Sequence, residues 1–288
     1  MHCETPSPVQ HLRIRGGLLR LDRPLVMGVL NVTPDSFSDG GLYLNPEAAV
    51  AHACDMVQEG ADLLDIGAES SRPGADPVDE QEELRRLMPV LEAVCRRVTV
   101  PVSVDTTKAS VARRGIDVGA KIINDISALR FDAAMANVIA STGAGVVLMH
   151  MQGTPKTMQI PPHYADVVQE VQDFFERQIQ GAVQAGISEE HVILDPGIGF
   201  GKRPEDSLTL LAHLDRLSAL RCPILVGVSR KGFIGQILGR SVNERLYGTA
   251  AACAAAILNG ARIIRVHDVR PMRELVVMLQ AILERRSS

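Results

Sequence analysis

The residues able to do chemistry in this chain sit at the ends of short apolar runs. Along the sequence those runs end in Asn31, Asp65, Asp105, Asn124-Asp125, Met149-His150, Asp195, Ser229-Arg230-Lys231 and Arg265-Val266-His267-Asp268. Carboxylates accept hydrogen bonds from a polar ligand edge, and amides both accept and donate. Lys, Arg and His add charge for an anion. A single Asp or Asn at a strand end is often only a helix cap or turn former. Capping does not explain the whole set, because it needs neither a lysine nor an Arg-x-His. Asp65 and Asp125 fit either reading and are left unassigned, and His150 reads as structural.

One run, "VILDPGIGFGK" at 192–202, breaks into a glycine-rich loop of the kind that often cradles phosphate. Its spacing excludes the nucleotide loops. A P-loop places Gly six residues before the Lys, and here that position is Pro196, with Arg203 where a hydroxyl is needed. A dinucleotide fingerprint needs Gly197, Gly199 and a third Gly at the position of Lys202. What distinguishes the loop is Asp195, an anion placed where the strand ends.

The elements that must position these groups follow from the runs themselves. Apolar segments at 25–30, 62–67, 100–105, 121–126, 145–150, 192–197, 223–229 and 261–268 are rich in Val, Ile and Leu without clean alternation, as in strands buried on both faces. Amphipathic stretches such as "PEAAVAHACDMVQEGA" lie between them. Strand and helix alternating eight times over some 250 residues is the α/β pattern of a (β/α)8 barrel. The alternative is an open doubly wound sheet, whose usual Gly-rich turn after the first strand is missing. Barrels of this kind carry their chemistry at the C-terminal strand ends. Before the first strand, "LRIRGGLLRLD" reads as a hairpin around Gly16-Gly17 that closes the barrel's N-terminal face. No linker interrupts the chain, so residues 1–288 read as a single domain. The Glu/Arg-rich run at 79–86 reads as a solvated helix face. Two long loops, "NVTPDSFSDGGLYLN" and "ESSRPGADPVD", have the composition of active-site loops, and the aromatic Phe37 in the first wants a partner.

With 46% hydrophobic residues, the chain is too apolar for disorder. A net charge of −4 and the absence of Trp argue against a nucleic-acid partner. The five cysteines form no C-x-x-C pair, which excludes a disulfide framework or zinc site and fits a reducing cytoplasm. "MHCETPSPVQ" has no apolar segment of a signal peptide. The most apolar stretch, "YGTAAACAAAILNGARIIRV", carries Asn259, Arg262 and Arg265 and reads as a buried helix leading to a strand, not a membrane span.

The segments "MGVLNVTPDSFSDGG", "DIGAESSRPGA", "SVDT", "INDI", "LDPGIGFGK", "GVSRKGFIG" and "RVHDV" resemble, in order, the signatures of the bacterial dihydropteroate synthase family across residues 27 to 269. The resemblance implies a (β/α)8 barrel that joins dihydropterin pyrophosphate to para-aminobenzoate and releases pyrophosphate, on the route to folate. It implies that Asp105, Asn124, Asp195 and Lys231 read the pterin edge, with Met149, Phe200 and Arg265 around the ring. Phe37, Ser71, Pro73, Phe200, Lys231 and Gly232 then surround para-aminobenzoate. Asn31, Arg72, Arg265 and His267 hold pyrophosphate, with Mg²⁺ on Asn31. Catalysis is implied to be dissociative: Arg265 and His267 stabilise the departing pyrophosphate, Asp105 the pterin cation, and Lys231 acts beside them. Ser71 and Gly232 stand where the family commonly has Thr and Ser, in the pocket where sulfonamides compete. A homodimer through the Ala-rich helix or the final helix is a further implication. The alternatives are a non-catalytic pterin-binding homologue and a pterin-dependent methyltransferase, the latter having no use for "SRK" and "RVHDV". A generic phosphosugar barrel is disfavoured because no lysine points to a Schiff base.

Overall fold

In the computed structural model, residues 9–33, 46–70, 74–158 and 162–285 are described. The expectations for Phe37, Ser71, Arg72 and Pro73 lie outside them. A hairpin comes first, β1 (His11–Ile14) paired antiparallel with β2 (Gly17–Arg20). Its two-residue turn is Arg15-Gly16 and Gly17 already belongs to β2; Gly16 supplies the positive φ of +77° that the turn requires.

Eight parallel strands form the main sheet: β3 (Leu25–Asn31), β4 (Leu63–Gly67), β5 (Val102–Asp105), β6 (Ile122–Asp125), β7 (Gly145–Met149), β8 (Val192–Asp195), β9 (Leu225–Val226) and β10 (Ile263–Val266). Each falls on one of the apolar runs, β3 reaching one residue past its run to Asn31. Their order is β8-β7-β6-β5-β4-β3-β10-β9. A Leu194–Ile224 bridge, with Leu194 N donating to Pro223 O at 2.9 Å, brings the two edges together, so the sheet is a nearly closed barrel and not an open one. Helices α1 (Pro46–Gln58), α2 (Glu80–Arg97), α3 (Ala109–Asp117), α4 (Met135–Thr142), α5 (Val167–Gln184) and α6 (Pro204–Ala212) follow β3 to β8 in turn. Two helices, α7 (Gly232–Leu238) and α8 (Leu246–Leu258), follow β9, and α9 (Val269–Glu284) follows β10. The Ala-rich stretch is thus a helix leading into a strand, as its polar residues imply.

The pleat sorts the strand residues into two cores. Outward-facing Leu64, Ile66, Val104, Ile123, Leu148, Leu194, Val226 and Ile264 pack with the helices. Inward-facing Leu25, Met27, Leu63, Ile122, Val147, Ile193, Leu225 and Ile263 form a separate cluster with Leu12 and Ile14 of the hairpin. The hairpin therefore plugs the end of the barrel where the strands begin. Side chains two residues apart share a face. Stepping on by two from this apolar layer reaches Asp65, Asn124, Met149, Asp195, Gly227 and Arg265, and Ser103 leads likewise to Asp105. A polar layer therefore lies above an apolar one, at the mouth.

The solvated-face reading of residues 79–86 holds for Glu80 and Arg85 but fails at Glu83, which is 0% exposed. Its partner, Lys108, lies on a different element. Because Leu12 is fully buried in the plug, Leu12→Ala is expected to cost about 2–5 kcal/mol of stability. Denaturant unfolding measures this, and ligand binding at the opposite end of the barrel should survive.

Candidate active site

Arg265, entering from β10, organises the mouth. Its Nε donates to Asp65 Oδ2 at 2.7 Å and its Nη2 to Asp105 Oδ2 at 2.9 Å. Asn124 Nδ2 donates to the same Asp65 oxygen at 2.9 Å. One guanidinium and one amide thus tie together β4, β5, β6 and β10. Asp65 is completely buried, and its Oδ1 has no hydrogen-bond partner among the described residues. Burial, then the Asp65 charge, push the Asp105 carboxyl up to about 8, with Arg265 opposing. Gly67 lets Asp105 pack closely against β4: a Cβ on Gly67 would meet Asp105 Cβ at 3.1 Å.

The loop after β8 turns beneath Asp195. Gly197 N donates to Asp195 Oδ1 at 2.7 Å. Gly197 has a φ of +63°, and a Cβ there would lie 1.9 Å from His150 O, so no other residue fits. Lys202 locks the same loop by donating to Phe200 O at 3.2 Å and to His150 O at 3.3 Å. Its Nζ also lies 2.8 Å from His150 Nδ1. His150 packs edge-on against Phe174, which bears out its structural reading. Lys231, at the start of α7, donates to Ile198 O and lies 4.2 Å from the centre of the Phe200 ring. Burial lowers its pKa to about 8, opposed by Asp195. Burial likewise raises Asp195, opposed by Lys231.

An apolar wall completes the slot. Met149 clusters with Ile126, Met151 and Met158, and Phe200 packs on them. Asn31 and His267 leave the barrel from the neighbouring strands β3 and β10. His267 is exposed, and its Nδ1 lies 3.0 Å from Ser229 Oγ. Gly232 is exposed at the start of α7, and a Cβ there would meet nothing within 4 Å.

Asp105, Asn124, Met149, Asp195, Phe200, Lys231 and Arg265 therefore line one mouth. Asp65 belongs with them, though the sequence left it open. The signal for it was its two-residue step from Leu63. Asp125 resolves the other way. Its Oδ1 accepts from Ser127 N and its Oδ2 from Leu129 N, both at 2.8 Å, so it shapes a turn in which Ala128 and Leu129 have positive φ.

The model of the family described as pterin binding enzyme matches residues 27–267. Dihydropteroate synthase of Escherichia coli K12 is 48% identical over 274 residues, covering 95% of this chain and 97% of that protein. The chain belongs to the dihydropteroate synthase family. Among solved structures, the Xanthomonas albilineans dihydropteroate synthase with 4-aminobenzoic acid is 47% identical, with a TM-score of 0.90 over 96% of this chain and 98% of that one. The Yersinia pestis enzyme in a sulfonamide drug complex is 48% identical, also with a TM-score of 0.90, over 96% and 100% of the two chains. Both reproduce the barrel that presents this mouth.

The position of Asp105 sets a pH dependence. An unfolded aspartate loses its proton near 3.8, whereas folded Asp105 keeps its proton up to about 8. Between those values the folded state binds more protons than the unfolded one, so the contribution of Asp105 to stability falls as pH rises from about 4 to about 8 and is level above. Asp105→Asn removes this slope. The melting temperature of the variant relative to wild type should climb across that window, and a flat difference would mean that Asp105 ionises normally.

Proposed function

We infer that the inward-facing Asp105, Asn124, Asp195, Lys231 and Arg265 read a pterin ring edge and carry out the family's reaction. The chain is a transferase of the dihydropteroate synthase family. The carbon–oxygen bond from the pterin methylene to pyrophosphate breaks, and its electron pair leaves with pyrophosphate. The amine nitrogen of para-aminobenzoate then bonds to the methylene and loses a proton to water, giving 7,8-dihydropteroate. A non-catalytic homologue and a methyltransferase are not favoured, since relatives named for this reaction match over 95% of the chain.

The observation that carries the residue roles is the convergence of acceptors and donors in one slot. Asp195 and Asp105 accept N–H groups, and Lys231 donates to ring acceptors. Asn124 donates one N–H to Asp65, leaving its carbonyl oxygen as an acceptor. Met149 and Phe200 supply the apolar wall for the ring. The Arg265 hydrogen bonds among the described residues use Nε and Nη2, which leaves Nη1 for phosphate. Asn31 and His267 flank it, and the family resemblance assigns Arg72, outside the described residues, to the same anion. Mg²⁺ fits Asn31, because an amide oxygen plus diphosphate oxygens is a hard-donor set, and when bound it neutralises charge on the departing diphosphate. The family resemblance assigns Phe37, Ser71 and Pro73, outside the described residues, to the para-aminobenzoate pocket with Gly232, Phe200 and Lys231, and sulfonamides compete there. Asp105 stabilises the pterin cation.

A homodimer and a reducing cytoplasmic setting are part of the same reading. Ile237, Tyr247, Leu258, Val277 and Met278 expose apolar surface on the adjoining helices α7, α8 and α9, with Tyr247 85% exposed. A patch of this kind suits an isologous interface. No helix among the described residues is long and apolar enough to cross a membrane. Cys54, Cys95, Cys222 and Cys253 are free thiols.

Pyrophosphate release that requires both the pterin substrate and para-aminobenzoate tests the function. Asp195→Asn should lose about 1.5–3 kcal/mol of pterin binding, the worth of a charge-assisted hydrogen bond. Unchanged affinity by calorimetry would remove Asp195 from the pterin site. Tyr247→Glu should convert the dimer to a monomer in sedimentation velocity, whereas an unaltered sedimentation coefficient would place the interface elsewhere.

A further inference from the structure

Two charged residues at the strand ends have no part in the reaction as written. Arg230 precedes Lys231 in the turn after β9, and Asp268 follows His267 after β10. The Asp268 carboxylate accepts from Arg230 on both oxygens, from Nε at 2.9 Å and from Nη2 at 2.5 Å. One residue earlier the same two turns are joined again. Ser229 Oγ accepts from His267 N at 3.2 Å and lies 3.0 Å from His267 Nδ1. Neither charged residue has the ordinary structural reason to be there. Asp268 holds the N-cap position of α9, where an aspartate normally accepts from the first N–H groups of the helix, yet its side chain makes no capping bond. Arg230 has a φ of +58°, a left-handed conformation that glycine adopts freely and a longer side chain only under strain. An arginine retained at such a position points to a task for its guanidinium. The strained residue is held from two further sides: its N–H donates to Oγ1 of buried Thr249 at 3.0 Å, and Arg245 Nη1 donates to its carbonyl at 2.9 Å.

What the pair does follows from the strand ladder. The β9–β10 pairing ends at Val226–Ile264, and Ser229 and His267 each lie three residues past it. Among the described residues, no backbone–backbone hydrogen bond joins 229–231 to 267–268. Side chains, and not the sheet, therefore set the distance between the turn that carries Lys231 and the turn that carries His267. The pair is partly exposed, with 37% and 22% of the two side chains accessible, so its worth to global stability is small. Its two parallel hydrogen bonds fix direction as well as distance, which is what a locating contact needs. From this turn Lys231 reaches across to Ile198 O on the Asp195 side of the slot.

We propose that Arg230 and Asp268 are positioning residues: their ion pair fixes the spacing between Lys231, at the pterin end of the slot, and His267, at the pyrophosphate end, so that one substrate engages both. This rests on the reading above that assigns Lys231 to the ring and His267 to pyrophosphate. A ligand that meets only one turn can draw that turn to its own best position. A ligand that meets both binds well only where their spacing is already set, because otherwise it must order two mobile turns at once.

The test cuts the pair from each side. Asp268→Asn removes the charge and keeps a residue suited to a helix start, and Arg230→Asn removes the guanidinium and keeps a residue that tolerates the left-handed backbone. In calorimetry without para-aminobenzoate, each variant should bind dihydropterin pyrophosphate about tenfold more weakly, a coupling of the size usual for residues in contact. Hydroxymethyl pterin alone, and inorganic pyrophosphate with Mg²⁺ alone, should each bind within about twofold of wild type, since each meets one turn. The double variant should lose no more than either single one, because both remove the same interaction. In the ligand-free protein, amide hydrogen exchange should quicken over residues 229–231 and 267–268 in both variants, with the melting temperature nearly unchanged. Exchange needs no ligand, so it separates the two failures: wild-type protein that binds none of the three probes would overturn the assigned function, and exchange would still decide the clamp. Unaltered exchange in both segments would overturn the clamp. So would equal losses for the joined and the separate ligands, or losses that add in the double variant.

Discussion

The guanidinium of Arg265 is the constraint on which the mouth depends. A cation at the end of β10 must be paired, and its partners are the carboxylates of Asp65 and Asp105 at 2.7 and 2.9 Å. Asp65, completely buried, depends on that pairing, because an unpaired buried charge is costly, and Arg265 opposes the burial that raises Asp105. Asp65 in turn fixes the Asn124 amide. The side chains that present a ligand edge are therefore oriented before any ligand arrives, which is what preorganisation requires. On the opposite side, Asp195 is oriented by Gly197 N, and the loop by Lys202. These two halves meet across a slot whose wall is Met149 and Phe200.

Strand identity was legible because burial on both faces leaves a continuous apolar run, and all eight runs became barrel strands. Which residues face inward was not, because runs buried on both faces do not alternate; the faces follow from the pleat only once the strands are placed. Nor were long-range partners. Asp65 and Asp125 look alike in sequence, each an acid at a strand end. One pairs with an arginine 200 positions away and the other with backbone N–H groups two and four residues on. Glu83 was misread for the same reason. Its neighbours Glu82, Arg85 and Arg86 form the i,i+3 and i,i+4 pairs of a solvated face. The lysine that buries Glu83 lies 25 residues further on and belongs to another strand end. Gly16-Gly17 was close, but only the strand register shows which glycine makes the turn.

The same two-residue period separates what holds the barrel together from what it presents. Leu63 lies beneath Asp65, Ile122 beneath Asn124, Ile193 beneath Asp195 and Ile263 beneath Arg265, and the apolar members form one cluster closed by Leu12 and Ile14. The residues between, Leu64, Ile123, Leu194 and Ile264, are locked into the outer core. Every polar side chain of the mouth thus grows from a backbone fixed below and behind. The polar layer itself is not built for stability. It keeps Asp65 Oδ1 buried without a partner among the described residues, and it raises the proton affinity of Asp105. Groups held this way cost free energy in the resting protein. Two apolar cores and a hairpin plug can offset that cost, and the offset is what allows several carboxylates to remain gathered where a cation has to be stabilised.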